Sequence, residues 1–262
     1  MTSGMYRRFV PAERRRRMAA LLQRRGSVSI AELEEAFGIS AMTARRDLAA
    51  LEERGLVTRT WGGASTLAPV AHEASFADRV QRDPERKRRL ADEAYKLVQP
   101  NETLLVDSSS TGWYFVERLL EEPVPCTVIT NSLAIADLAA EVPAQVQVVV
   151  IGGILRPLTR STVGPAATKA IRGYYADRAI VSVYGVGTDG SLTDPDAYES
   201  EVKAAIVARA REPMLLVDAS KFGTLAQNRI GAADEFSHAI VADVGRDATD
   251  MLVGAGVELH EA

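Results

Sequence analysis

Apolar residues recur at helical spacing three times within the first fifty positions. Met18, Leu21 and Leu22 mark one stripe, in a segment that opens on Pro11 and closes on Gly26. Ile30, Leu33 and Phe37 mark a second, behind Ser29, a residue type suited to capping a helix. Gly38-Ile39-Ser40 supplies a tight turn, after which Ala41, Ala44, Leu48 and Leu51 fall on one face of a third helix that Gly55 stops. Residues 56–60 alternate as a strand does, and Trp61-Gly62-Gly63 makes a glycine turn. Three short helices and a small hairpin predict a winged helix-turn-helix over residues 1–64.

The pattern then weakens. Residues 65–83, with Pro69 and few aliphatics, read as a partly structured linker. Asp83-Pro84 starts a helix running to Val98 with Leu90, Ala94, Leu97 and Val98 apolar; its run Arg86-Lys87-Arg88-Arg89 is read as an exposed face rather than a phosphate contact. From residue 100 short apolar runs alternate with helical stretches. Residues 103–106, 126–130, 146–151, 179–184, 214–217 and 238–241 are strand-like, with helices such as 111–120, 133–140 and 199–210 between them. This alternation predicts an α/β domain over 84–262 with a mostly parallel sheet, whose ligands belong beyond the carboxyl ends of the strands.

Charge separates the two halves. Residues 1–63 hold 12 Arg, no Lys and 7 acidic residues, a net of +5; the remainder holds 19 basic and 28 acidic residues, a net of −9, giving −4 for the 262-residue chain. A basic head on an acidic body points to a polyanion for the head alone, although a solvated Arg-rich helix has the same charge. No apolar run approaches the roughly 18 residues of a membrane span, and the N-terminus lacks the apolar stretch of a secretory signal. The single Cys126 excludes an internal disulfide and suits a reducing cytosol, so a cytoplasmic protein is expected. His72, His238 and His260 are scattered, and no metal cluster is expected.

The candidate chemistry lies after the strands. Asp107-Ser108-Ser109-Ser110-Thr111 passes straight from a strand into a helix, offering backbone N–H groups, hydroxyls and the positive end of a dipole to an anion such as phosphate. Thr130-Asn131-Ser132 and Gly152-Gly153 end the next two strands, and Asp218-Ala219-Ser220-Lys221 brings a cation to the same edge. Residues 185–190 spell G-x-G-x-x-G, but Ser191-Leu192-Thr193-Asp194-Pro195 is expected to continue as a loop. Without a helix after the third glycine the dinucleotide reading fails. Glu199 and Lys203, four apart on a helix, read on their own as a surface ion pair.

Together these residues resemble the DeoR family of bacterial transcriptional repressors, over nearly the whole chain. The N-terminal match comprises Ile30-Ala31-Glu32-Leu33, Phe37-Gly38-Ile39-Ser40, Thr43-Ala44-Arg45-Arg46-Asp47-Leu48, Leu51-Glu52, Gly55-Leu56 and Gly62-Gly63-Ala64. The C-terminal match comprises Asp107-Ser108, Thr111, Thr130-Asn131-Ser132, Ile151-Gly152-Gly153, Gly164, Gly185, Gly190, Glu201-Val202-Lys203 and Asp218, Ser220-Lys221-Phe222-Gly223. The resemblance implies a sensor domain that looks like ribose-5-phosphate isomerase and takes a phosphorylated sugar or related metabolite. Two positions depart from the family's pattern: Ser109 stands where it usually has Gly, and Trp61 where the wing commonly has His.

The expected function is therefore a DNA-binding repressor of a sugar or sugar-alcohol operon, released by a phosphosugar, acting as a homodimer or homotetramer without a cofactor. The alternative is an isomerase-like enzyme with a DNA-binding appendage. The related isomerases carry an Asp-Gly-x-Asp element where this chain has Tyr184-Gly185-Val186-Gly187, so no catalytic residue is expected. DNA contacts are expected from Ser40, Met42, Thr43, Arg45, Arg46, Arg59 and Trp61, with Arg46 opposite the apolar face and aimed at bases, Arg45 flanking for phosphate, and Asp47 holding an arginine. The effector is expected at Asp107, Ser108, Ser109, Ser110, Thr111, Thr130, Asn131, Ser132, Gly152, Gly153, Gly185, Lys203, Asp218 and Lys221.

Overall fold

A computed structural model describes residues 10–25, 27–52, 57–60, 63–65, 73–139 and 144–262. The chain forms two compact units, Met1–His72 and Glu73–Ala262.

In the first unit α1 (Pro11–Arg25) is followed by β1 (Ser27–Ser29), α2 (Ile30–Phe37), α3 (Ala41–Glu52), β2 (Thr58–Thr60) and β3 (Gly63–Ser65). Ser29 starts α2 through a capping box: its hydroxyl accepts from the Glu32 N–H while its own N–H donates to the Glu32 carboxylate. Gly38 ends it at φ 61, a left-handed conformation that glycine adopts without strain. Met18, Leu22, Leu33, Ala44, Leu48 and Leu51 form the core with Val28, Val57 and Ala64. The expected hairpin is a three-stranded antiparallel sheet in the order β1-β3-β2, because Ser27–Ser29 pairs with β3. Gly63 serves that pairing as well as any turn, since a Cβ there would come within 2.1 Å of the Val28 carbonyl oxygen. Gly26, Gly55, Leu56, Trp61, Gly62, His72 and Ala140 lie outside the described residues, as does the Arg59 side chain.

The second unit opens with α4 (Phe76–Gln81) and α5 (Pro84–Tyr95). It continues through β4 (Glu102–Val106), α6 (Ser110–Glu121), β5 (Cys126–Thr130), α7 (Leu133–Leu138) and β6 (Val146–Val150). A hairpin of β7 (Ile154–Arg156) and β8 (Ser161–Val163) leads to α8 (Pro165–Arg172) and β9 (Ala176–Val181). Then come β10 (Gly185–Val186), β11 (Ser191–Asp194), α9 (Ala197–Val207), β12 (Ala210–Asp218) and β13 (Asn228–Ala232). The unit closes with β14 (His238–Ala242), α10 (Arg246–Gly254) and β15 (Glu258–Glu261).

Seven strands form one sheet in the order β15-β14-β12-β9-β4-β5-β6, every neighbouring pair parallel. Successive side chains point to opposite faces, so Leu104, Val106, Ile180, Met214 and Leu216 pack with α5 and α6, while Leu105, Ala179, Val181, Leu215 and Val217 pack with α8 and α9. Burial on both faces explains why the strands read as unbroken apolar runs.

Three expectations change. Residues 73–83 belong to the second unit rather than to a linker: Phe76 is buried, and its N–H donates to the Leu158 carbonyl at 2.8 Å. The run 86–89 is not a free basic face. Arg86 and Arg89 pair with Asp243 at 2.7 and 2.9 Å, and Lys87 turns inward to donate to the carbonyls of Arg79 and Arg82. Residues 191–194 are strand β11, paired antiparallel with β10 and β13, so the glycine motif ends in a hairpin. No helix meets its third glycine, and the rejection of a dinucleotide site stands on that.

Candidate functional site

The chain lays down β4, β5 and β6 to one side and then returns to place β9 against the other edge of β4. Connections therefore diverge at the carboxyl ends of β4 and β9, leaving a crevice of the kind α/β sheets use for ligands. The Asp107 N–H donates to the Ile180 carbonyl at 3.1 Å, closing the last rung between the two strands. Beyond that rung the chains part into Asp107-Ser108-Ser109-Ser110 and Ser182-Val183.

Asp107 is fully buried and organises this crevice. Its Oδ1 accepts from the Ser109 N–H at 3.0 Å; its Oδ2 accepts from the Ser182 N–H at 3.2 Å and from Lys203 Nζ at 2.6 Å. Gly112 on α6 makes room for it, since a Cβ there would lie 2.9 Å from Oδ1. Lys203 Nζ also donates to the Ser182 carbonyl at 2.6 Å and lies 3.8 Å from Asp194 Oδ2. Burial alone would lower the lysine's pKa, but Asp107 and Asp194 outweigh it and hold the ammonium above its ordinary value. Burial pushes Asp194 up to about 6 against the pull of that same ammonium. Lys203 and Glu199 are thus not a surface pair, because both side chains are buried.

Glu199 forms a second layer. Its Oε2 accepts from Ser108 Oγ at 3.1 Å, and its Oε1 from Ser161 Oγ at 2.5 Å and Arg156 Nη1 at 3.0 Å. Burial opposes its charge, yet Lys203 and these donors hold its pKa below the usual value. Arg156 reaches on to Glu73 at 2.5 Å and Asp196 at 3.3 Å. Ser108 is therefore committed to Glu199, and Ser109 caps α6 by accepting from the Gly112 N–H at 2.9 Å. The hydroxyls of Ser110 and Thr111 have no hydrogen-bond partner among the described residues. They stand beside the first N–H groups of α6, which no helical carbonyl can satisfy. What remains free at this helix start is a set of donors.

At the end of β5, Thr130 Oγ1 accepts from the Ser132 N–H, and Ser132 Oγ caps α7. Asn131 Nδ2 donates to the Thr162 carbonyl at 2.9 Å, which leaves its buried Oδ1 without a partner. Gly152 and Gly153 lie exposed after β6, and the space beside Gly152 is open. Gly185 begins β10 with its Cβ position filled, since a Cβ there would lie 2.0 Å from the Thr224 carbonyl oxygen, so no larger residue fits. Asp218 ends β12 and accepts from the Ser220 N–H at 2.7 Å, with Lys221 just beyond. Sequence reasoning missed Ser182, Glu199, Arg156 and Arg79. The first three are joined through contacts between distant elements. Arg79 lies in the supposed linker with its guanidinium over the Phe76 ring at 5.8 Å, and its buried Nε and Nη2 have no hydrogen-bond partner.

On the first unit, α3 turns Ala44, Asp47, Leu48 and Leu51 inward, while Met42, Arg45 and Arg46 are exposed. Neither arginine has an ion-pair or hydrogen-bond partner among the described residues. Asp47 pairs with Arg14 of α1 at 2.6 Å, so the arginine it holds is not a neighbour on its own helix. Ser40 and Thr43 bond to each other at 3.1 Å at the start of α3. A rigid helix thus presents two uncommitted guanidinium groups, a donor set matched to phosphates and base edges.

One expectation about metals also changes. Parallel pairing of β14 with β15 brings His238 and His260 to 3.1 Å, with Glu258 beside them, and the three could hold an ion.

Comparison with known proteins agrees with this division of labour. A DeoR-like helix-turn-helix domain matches residues 14–70, and a DeoR C terminal sensor domain matches residues 82–243. The HTH-type transcriptional regulator YulB of Bacillus subtilis is 30% identical over 91% of this chain and 88% of its own length. GolR of Listeria innocua is 31% identical over 86% of this chain and 87% of its own. The glycerol-3-phosphate regulon repressor of Escherichia coli is 32% identical over 81% and 83%. Among solved structures, ribose 5-phosphate isomerase A from Methanocaldococcus jannaschii aligns with a TM-score of 0.39 at 21% identity, over 53% of this chain and 55% of that one. No helix among the described residues is long and apolar enough to cross a membrane.

Proposed function

The chain belongs to the DeoR family of transcriptional regulators, and on that footing we propose that it represses an operon for a sugar or sugar alcohol and leaves its operator when a phosphorylated metabolite binds at the β4–β9 crevice. One observation carries the effector reading: unengaged Ser110 and Thr111 hydroxyls at the start of α6, with the orphaned Asn131 Oδ1 at the next strand end. Donors at a helix start suit a phosphate, and a buried acceptor suits a sugar hydroxyl. Asp107 and Lys203 position the loop rather than touch the ligand, since their polar atoms are already engaged. The relative named for the glycerol-3-phosphate regulon supports the same class of effector.

The Asp107–Lys203 pair also supports binding without catalysis. A carboxylate locked to an ammonium at 2.6 Å and to two backbone N–H groups is a poor base for sugar protons. In our reading two or more chains associate so that paired α3 helices meet repeated half-sites, because one short helix reads few base pairs. The effector acts by preferring the conformation with weaker operator affinity. A gel-shift titration of the operator complex with a panel of phosphosugars and their unphosphorylated parents tests this. We expect release by a phosphorylated member only; indifference to every phosphosugar overturns the effector reading, and turnover of one overturns the non-enzymatic one.

A further inference from the structure

The amino ends of β14 and β15, at the far ends of the strands from the effector crevice, carry a second group of chemistry-bearing side chains. Parallel pairing sets His238 opposite Glu258 and Ile240 opposite His260. Alternation along each strand then puts His238, Glu258 and His260 on one face of the sheet. His238 Nδ1 stands 3.1 Å from His260 Nε2 and 3.4 Å from Glu258 Oε2, and His260 Nε2 stands 3.7 Å from Glu258 Oε1. Atoms bound at about 2.0–2.1 Å to one tetrahedral zinc lie roughly 3.3 Å apart, so the three side chains are already spaced as ligands. The imidazoles are 14% and 16% exposed and Glu258 is 67% exposed, which leaves the group open to solvent on the carboxylate side.

A fourth residue on that face prepares one ring for coordination. Met214 pairs with His238, so Glu212, two positions earlier on β12, shares its side of the sheet. The Glu212 Oε2 pairs with Arg178 Nη1 at 2.8 Å and lies 3.8 Å from His238 Nε2. A carboxylate at that nitrogen favours the tautomer protonated on Nε2 and leaves the Nδ1 lone pair for a metal. In that tautomer Nδ1 accepts from the His260 Nε2–H, and an ion replaces this hydrogen bond once His260 carries its proton on Nδ1 instead. Two imidazoles and one carboxylate suit a divalent transition-metal ion such as zinc, whereas magnesium and calcium take oxygen ligands.

We propose that His238, His260 and Glu258 bind a divalent transition-metal ion, with Glu212 positioning His238. β15 is an edge strand joined to β14, and the Ala262 N–H beyond it donates to the Val241 carbonyl at 2.9 Å. With ligands from both strands, the ion cross-links this edge, and its binding free energy adds to the stability of the folded sensor. Three protein ligands leave a coordination position to water. The site shares no residue with the effector crevice, so it stands or falls independently of the effector.

The experiment strips the full chain with a chelator, titrates it with Zn²⁺ by calorimetry and follows Co²⁺ uptake by visible absorption. We expect one ion per chain, a Co²⁺ spectrum without thiolate charge transfer, and a higher urea midpoint with Zn²⁺ present. His238→Gln, His260→Gln and Glu258→Gln should each weaken Zn²⁺ binding roughly tenfold or more and abolish the rise in midpoint. His72→Gln, at the chain's third histidine, should change neither. Glu212→Gln should weaken binding roughly 10–100-fold with an unchanged Co²⁺ spectrum, as loss of a group that orients a ligand does. If wild type takes up no Zn²⁺, or if His238→Gln and His260→Gln bind it as tightly as wild type, the site is wrong. A thiolate band would place the ion at Cys126 and overturn it equally. Binding left intact by Glu212→Gln would remove the positioning role. Glu258 is exposed, so should an imidazole variant not fold, Glu258→Gln decides.

Discussion

Lys203 Nζ lies 2.6 Å from Asp107 Oδ2, and the two side chains are 5% and 1% exposed. The pair joins α9 to the end of β4 across 96 positions of sequence. A buried ammonium removed from a buried carboxylate leaves the latter uncompensated, which typically costs about 3–5 kcal/mol. Lys203→Met should therefore destabilise the sensor by an amount in that range in urea denaturation. Adding Asp107→Asn to the same chain should return part of the loss, because the remaining partners of Asp107 are neutral N–H groups. A double variant no more stable than Lys203→Met would show that Asp107 is held by Ser109 and Ser182 alone.

On α3 the two exposed arginines should separate by function. Arg46→Ala should cost roughly 1–3 kcal/mol on an operator obtained by selection from random DNA and should relax sequence preference there. Arg45→Ala should weaken operator and random DNA alike and lessen the salt dependence of binding. Gel shifts on both DNAs at two salt concentrations check this; interchangeable variants would remove the assignment.

Helices α1, α2, α3, α5, α6, α7 and α9 and six of the seven main strands were legible because each carries a period that a core imposes. Leu104 and Leu105 show why the strands read as continuous runs: each faces a different core. What stayed hidden were partnerships. Nothing local to Asp107 announces Lys203 or Ser182, and nothing near Asp47 announces Arg14. α4 was hidden for another reason. Its six residues are too few to establish a helical period, and its mixed charge resembles a loop until Phe76 is seen to be buried. Likewise β15 is short, partly exposed and polar at Glu258, His260 and Glu261, so it lacks the apolar run that marks the other strands.

Cys126 opens β5, is 7% exposed, and has its thiol pushed up to about 11 by burial, with the Glu102 charge adding to the effect. Since the thiolate is the reactive species, it should resist alkylating and disulfide-exchange reagents at neutral pH. Labelling is expected to be slow in native buffer and to rise with the unfolded fraction in urea. Rapid native labelling would mean that β5 opens far more readily than its pairing with β4 on one side and β6 on the other implies.

Asp194 gives the sensor a pH dependence of defined sign. Burial pushes its carboxyl up to about 6, although Lys203 Nζ is only 3.8 Å away. In the unfolded chain the same group titrates near about 3.9. Between these values the folded state keeps a proton that the unfolded chain has released, so this residue's contribution to stability falls as pH rises from about 4 to about 6. Asp194→Asn cannot ionise and escapes that loss. Its stability relative to wild type should climb across the window, by something on the order of 2–3 kcal/mol, and level off above it. Urea denaturation of both proteins at several pH values follows the effect, since titrating groups remote from Asp194 cancel in the difference. A difference that stays flat from about pH 4 to 7 would mean that Asp194 ionises like an ordinary carboxylate and shares fully in balancing the Lys203 charge.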